Sequence, residues 1–97
     1  MRKIRIKTDQ IKNWKTFHTY FADQFNFPEY YGQNMNAWID CMEDFAIDGL
    51  TVLEFGDCRS FKERIPEIHK AILESSAFIN YRSTESGKKP MLIISMG

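Results

Sequence analysis

Four polar side chains set three and four residues apart, Asn36, Asp40, Glu43 and Asp44, carry the clearest chemistry in this chain of 97 residues. At about 100° per residue they share one sector of a helix predicted from Asn34 to Phe45, while Met35, Trp38, Met42 and Phe45 share the opposite side. Ile39 lies on the border between the two sectors, and Cys41 near the other edge of the apolar stripe. Asp40 stands at i,i+3 from Glu43 and at i,i+4 from Asp44, and no Lys or Arg of the same helix relieves either pair. Like charges at those spacings cost roughly a few tenths of a kcal/mol each. Glu43 and Asp44 also occupy the last turn, where the helix dipole disfavours anions. Such a face suits a cationic partner that neutralises it; a merely solvated acidic face is the plainer alternative. Just upstream, Tyr30 and Tyr31 offer large amphipathic surfaces of the kind that anchor interfaces. At least one of them is expected to pack inward with its hydroxyl reaching solvent.

Other candidates for chemistry are weaker. His18 and His69 stand 51 positions apart and belong to no metal motif, so His18 reads as a structural histidine. Cys41 beside Asp40 has no histidine near it in sequence, which makes it a partly buried, inert thiol rather than a nucleophile. Asp40 and Asp44 on one helix are a poor divalent-cation site by themselves. No phosphate-binding glycine loop and no nucleophile elbow occurs. The expectation is therefore a chain that is not an enzyme and takes neither metal nor cofactor.

The elements that must position these residues follow from periodicity. Arg2 to Lys7 alternates basic residues with Ile4 and Ile6, the pattern of a strand with one wet face, suited to a sheet edge. From about Asn13, Trp14, Phe17, Phe21 and Phe25 recur at helical spacing, with Asn13 or Thr16 available as N-cap, and Pro28 blocks continuation. Residues 29–33 then form a tight loop, with Gly32 free to take positive φ. After the acidic helix, Leu50 to Phe55 and Met91 to Ser95 are short apolar runs that suit parallel strands covered by helices. Between them lie a short segment from Asp57 to Arg64 and a longer helix from about Pro66, a favourable first-turn proline. Ile68, Ala71, Ile72, Phe78 and Ile79 are its expected apolar face, and Gly87 and Pro90 punctuate the exit. The order strand-helix-helix-strand-helix-helix-strand predicts an α/β fold, a small parallel sheet packed against helices.

Residues 1–97 are expected to form a single domain with one core, burying about 60–65% of the unfolded surface. A deep catalytic cleft would be a tight fit. Cys41 and Cys58 are too few for a disulfide scaffold and read as reduced thiols, and the first residues contain no apolar signal core. The expected location is the cytoplasm, with no membrane partner. Net charge is zero, yet residues 16–58 contain no Lys or Arg while holding eight of the thirteen acids. This segregation predicts an acidic lobe, which would repel phosphates and argues against nucleic acid as its partner. The terminal lysines (Lys3, Lys7, Lys12, Lys88 and Lys89) read as solubilising surface.

One stretch is more specific. The run Pro28-Glu29-Tyr30-Tyr31-Gly32-Gln33-Asn34-Met35-Asn36-Ala37-Trp38-Ile39-Asp40-Cys41-Met42 closely resembles the signature of the barstar family of ribonuclease inhibitors. Ile11 to Phe27, Leu50 to Glu54 and Leu92 to Ser95 resemble its first helix, second strand and last strand. The resemblance implies a three-stranded parallel sheet flanked by four helices, with the second helix and the loop before it entering a ribonuclease active site. On that resemblance Tyr30, Gly32 and Asn34 fall at contact or loop-shaping positions, and Asp40 on the aspartate that fills the enzyme's phosphate pocket. The sequence also departs from the family pattern. Asn36 stands where a second contacting aspartate is usual, Ile39 where the pattern has an interface tryptophan, and Glu43 and Asp44 add two acids. Arg82 falls near a position where the family has a contacting glutamate.

The resulting expectation is an inhibitor of the immunity or antitoxin type, bacterial in kind and monomeric when free. It would block a basic ribonuclease or nuclease toxin other than barnase through Tyr30, Tyr31, Gly32, Asn34, Asn36, Ile39, Asp40, Glu43 and Asp44. The alternative is an interaction module of the same fold with a non-nuclease partner. A small enzyme dependent on Asp40 or Cys41 is a third reading, opposed by the missing histidine.

Overall fold

The computed structural model describes residues 1–56 and 59–96. Its strands are β1 (Arg2–Arg5), β2 (Thr51–Gly56) and β3 (Leu92–Met96), and its helices are α1 (Trp14–Gln24), α2 (Met35–Ala46), α3 (Arg59–Arg64) and α4 (Pro66–Glu85). The three strands form one parallel sheet in the order β1-β2-β3, with Ile4 opposite Leu53 and Leu53 opposite Ile94. Each parallel pairing needs a crossover, and α1–α2 and α3–α4 supply the two. This is the predicted element order. Asp57 and Cys58, the start of the predicted short segment, lie outside the described residues.

The helices gather on one face of the sheet. Leu53, Phe55 and Leu92 belong to the core together with Phe17, Phe21, Trp38, Met42, Ile68, Ile72 and Ile79 from the helices. On the other face Lys3, Arg5, Ile93 and Ser95 are exposed, and the buried Val52 stands in register between Lys3 and Ile93. The expectation that helices would cover the sheet thus holds for one face only. β2 could still be a nearly continuous apolar run because it is the middle strand, shielded by neighbours on both sides.

Helix ends follow local chemistry. Asn13 caps α1: its Oδ1 accepts from the Thr16 amide at 2.9 Å, and Thr16 Oγ1 accepts from the Asn13 amide at 2.9 Å. α1 stops at a left-handed Asn26 (φ 54°), where the Phe27 amide returns to the Ala22 carbonyl at 2.9 Å. α4 starts on Pro66 and is closed past Glu85 by a left-handed Gly87 (φ 81°), with the Gly87 and Lys88 amides donating to Thr84 and Ser83 carbonyls, both at 3.0 Å. Asn80 fastens this helix to β3, donating to the Leu92 carbonyl at 2.7 Å and accepting from the Met91 and Leu92 amides at 3.0 Å. Phe78, expected on the apolar face of α4, is 44% exposed. Among the described residues no helix is long and apolar enough to cross a membrane.

Candidate functional site

The loop between α1 and α2 is built on Tyr31. Its amide donates to the Pro28 carbonyl at 3.0 Å, its ring packs on Phe27 with centroids 4.9 Å apart, and its hydroxyl meets His18 Nδ1 at 2.5 Å. His18 is itself buried, stacked on Trp14 at 5.9 Å. Burial lowers the His18 pKa and favours the neutral ring. Burial, with a smaller contribution from the negative charge of Cys41 once that group ionises, raises the Tyr31 pKa far above its ordinary value. The phenol therefore keeps its proton and can donate to the neutral imidazole. With Tyr31 turned inward as the pillar, Tyr30 projects outward, 87% exposed.

The loop is joined to α2 by its N-cap. Asn34 Oδ1 accepts from the Ala37 amide at 2.8 Å while Asn34 Nδ2 donates to the Gly32 carbonyl at 3.2 Å. The expectation for Gly32 needs correction: the left-handed residue here is Gln33, at φ 50°. What Gly32 provides is room, since a Cβ there would lie 3.1 Å from Asn34 Nδ2.

Along α2 the two sides separate as the spacing predicts. Trp38 and Met42 are fully buried, Met35, Ile39 and Phe45 are half-buried against the core, and Asn36, Asp40 and Asp44 are exposed. Trp38 meets the α1 rings of Phe21 at 5.5 Å and Phe17 at 6.2 Å, which fixes the rotation of α2 and aims Asp40 outward. Asp40 is 76% exposed at its side chain.

Glu43 behaves differently. Its carboxylate is held by the forked guanidinium of Arg82 from α4, with Nε to Oε2 at 3.0 Å and a second, close contact from Nη2 to Oε1. Only 24% of the Glu43 side chain is exposed. The same Arg82 Nη2 lies 3.9 Å from Asp40 Oδ1, an ion pair too long to be a hydrogen bond. The acidic face is therefore not free of internal cations, contrary to the reading from helical spacing. Arg82 is 39 residues from Glu43 in sequence, and only the packing of α4 beside α2 brings it there. Asp44 has no ion pair or hydrogen bond within the described residues.

Between the loop and α2 runs a groove of about 620 Å³. Phe25, Phe27 and Phe45 are among its walls, Cys41 lies along it, and Asp40, Asp44 and Tyr30 line it as well. Burial raises the Cys41 pKa, and the Asp44 and then the Asp40 carboxylates add to the effect. The thiol is thus protonated at neutral pH, a poor nucleophile. Sequence reasoning assigned the three phenylalanines no part in the site. Their helical spacing marked Phe25 and Phe45 as core, and nothing local signalled that a groove opens beside them.

The structure thus brings Tyr30, Asp40 and Asp44 together along one groove, while Gly32, Asn34 and Asn36 are exposed in the loop and at the start of α2. It turns Tyr31 and Ile39 inward and gives Glu43 to Arg82. In comparison with known proteins, residues 1–94 match the family model described as Barstar (barnase inhibitor). The Bacillus subtilis (strain 168) protein named "Putative ribonuclease inhibitor YrdF" is 36% identical over 53 residues, 55% of this chain and 58% of that relative. The chain thus matches little more than half the length of this curated relative.

Proposed function

The chain belongs to the barstar family, and from that premise we propose that it is a stoichiometric inhibitor of a basic ribonuclease, acting without catalysis or cofactor. The observation that carries the reading is the Asp40 carboxylate, 76% exposed on a packed helix and without a hydrogen bond among the described residues. A carboxylate so presented forms charge-assisted hydrogen bonds with the arginine, lysine and histidine side chains that otherwise bind a substrate phosphate. Trp38 and the Asn34 cap support it by fixing the helix before a partner arrives, which lowers the ordering cost of association. Tyr30, with Gly32, Asn34 and Asn36 beside it, supplies the rest of the contact surface. An immunity role, in the same compartment as nascent nuclease, follows from such an activity.

Asn36, Ile39 and Arg82 direct the choice of target away from barnase, since each removes or reverses a contact usual in the family. The second reading, a non-nuclease protein partner, is favoured by Arg82, which places a cation within the acidic face. Titration of the purified protein into basic ribonucleases hydrolysing RNA separates the two. The inhibitor reading expects loss of activity that saturates at one equivalent for at least one enzyme. Unchanged hydrolysis across a broad set, with a protein partner still captured, would leave the second reading.

A further inference from the structure

We propose that the groove between the Phe27 loop and α2 is a subsite for one arginine side chain of the partner, with Asp44 as its main carboxylate and Asp40 beside it. The inference rests on the reading above for the basic character of the partner and adds which side chain is received, where, and by which acids. The groove combines two kinds of surface that an arginine needs at once. Phe27 offers a ring to the apolar stem and to the flat face of the guanidinium, beside a buried Phe25 and a Phe45 whose ring already carries Arg2, and Asp44 and Asp40 offer oxygens to its edge.

The acids are not equivalent. Glu43 is already matched by the fork of Arg82, and Asp40 is partly compensated by the same group at 3.9 Å. Asp44 alone of the three has no internal cation among the described residues, so the largest uncompensated charge lies at the groove. The Cys41 pKa is raised chiefly by burial, with Asp44 and then Asp40 adding to it, which places both carboxylates close to the thiol along the groove.

Arginine rather than lysine follows from the rings. The chain holds two of its own arginines in this manner. Arg2 lies 4.4 Å from the centroid of the Phe45 ring and donates to the Phe45 carbonyl, and Arg82 lies 4.8 Å from the centroid of Phe78 while donating to Glu43. A planar cation can stack and donate sideways at the same time, which a compact ammonium cannot.

The test is a titration of the ¹⁵N-labelled full chain with the peptide acetyl-Gly-Arg-Gly-amide, followed by amide chemical shifts. The citrulline peptide, similar in shape but uncharged, and the lysine peptide serve as comparisons. Shifts are expected at residues 25–28 and 40–45, weaker with lysine and absent with citrulline. Asp44→Asn should weaken binding by about 5-fold or more, the equivalent of roughly 1 kcal/mol, while Glu43→Gln should change it less than 2-fold. The same spectra report that each variant is folded. No shifts with the arginine peptide, shifts centred elsewhere, equal response to citrulline, or a Glu43→Gln loss as large as that of Asp44→Asn would each overturn the proposal. Failure of ribonuclease inhibition with these peptide results intact would remove the nuclease reading and leave the subsite. Inhibition without peptide binding would do the reverse.

Discussion

His18 shows how a residue far from any partner shapes the contact surface. Its ring is buried among Trp14, Phe17 and Tyr31, and burial holds its pKa below the ordinary 6.5. The native state therefore takes this proton only at a lower pH than the unfolded chain does. Stability from this site is fully present above pH 6.5 and is lost as pH falls from there toward the lowered native value. Urea unfolding should show a falling midpoint between pH 7.5 and 5.5, and His18→Gln, which cannot charge, should flatten that slope. An unchanged slope in the variant would assign it to other groups. Asn34 acts on the same loop from the other side. Asn34→Ala removes the α2 cap and its link to Gly32, and should cost about 1 kcal/mol, seen as a Tm lower by roughly 4–8 °C.

At the scale of elements, the amphipathic helix was legible and its neighbour was not. Met35, Trp38, Met42 and Phe45 told which way α2 must face because helical geometry relates residues three and four apart. The same geometry says nothing about residues 39 apart, so the Arg82–Glu43 fork could not be read from spacing. Gly32 illustrates a second limit. A glycine in a loop suggests positive φ, yet here a glutamine takes the strained angle and the glycine admits the Asn34 side chain. The strand order was legible from the alternation of elements, whereas the open face of the sheet was not, because shielding by long neighbours and cover by a helix give similar apolar runs. Asn80, polar within a helix, gave no local hint that it serves β3. Its replacement by alanine strips the partner from two backbone amides, those of Met91 and Leu92 at the entry to β3, and should destabilise the fold by about 2 kcal/mol, measured by chemical denaturation.

Across the whole molecule the charge segregation survives folding in trimmed form. The segment without basic residues supplies the groove and the acidic side of α2, while Arg2 and Arg82 come in from outside it to the end and edge of that helix. The lobe is thus less negative than its composition implies, and Arg82 sets how much. With a responsive ribonuclease in hand, association should slow as salt rises, since exposed charges more than about 10 Å apart are screened at 0.1 M. Arg82→Gln should speed association at low salt by releasing Glu43 and should steepen the salt dependence, both read by stopped-flow mixing. A slower association in that variant would mean that Arg82 itself contacts the partner.

The most direct measurement is the dissociation constant of the complex for Asp40→Ala, set beside Lys3→Ala and Lys89→Ala. Loss of the exposed carboxylate should weaken binding by about 2 kcal/mol or more, roughly 30-fold, the threshold of an interface hot spot, while the lysine variants stay within about 2-fold of the parent. Equal affinities for all three variants would contradict the assignment of α2 as the surface that meets the ribonuclease.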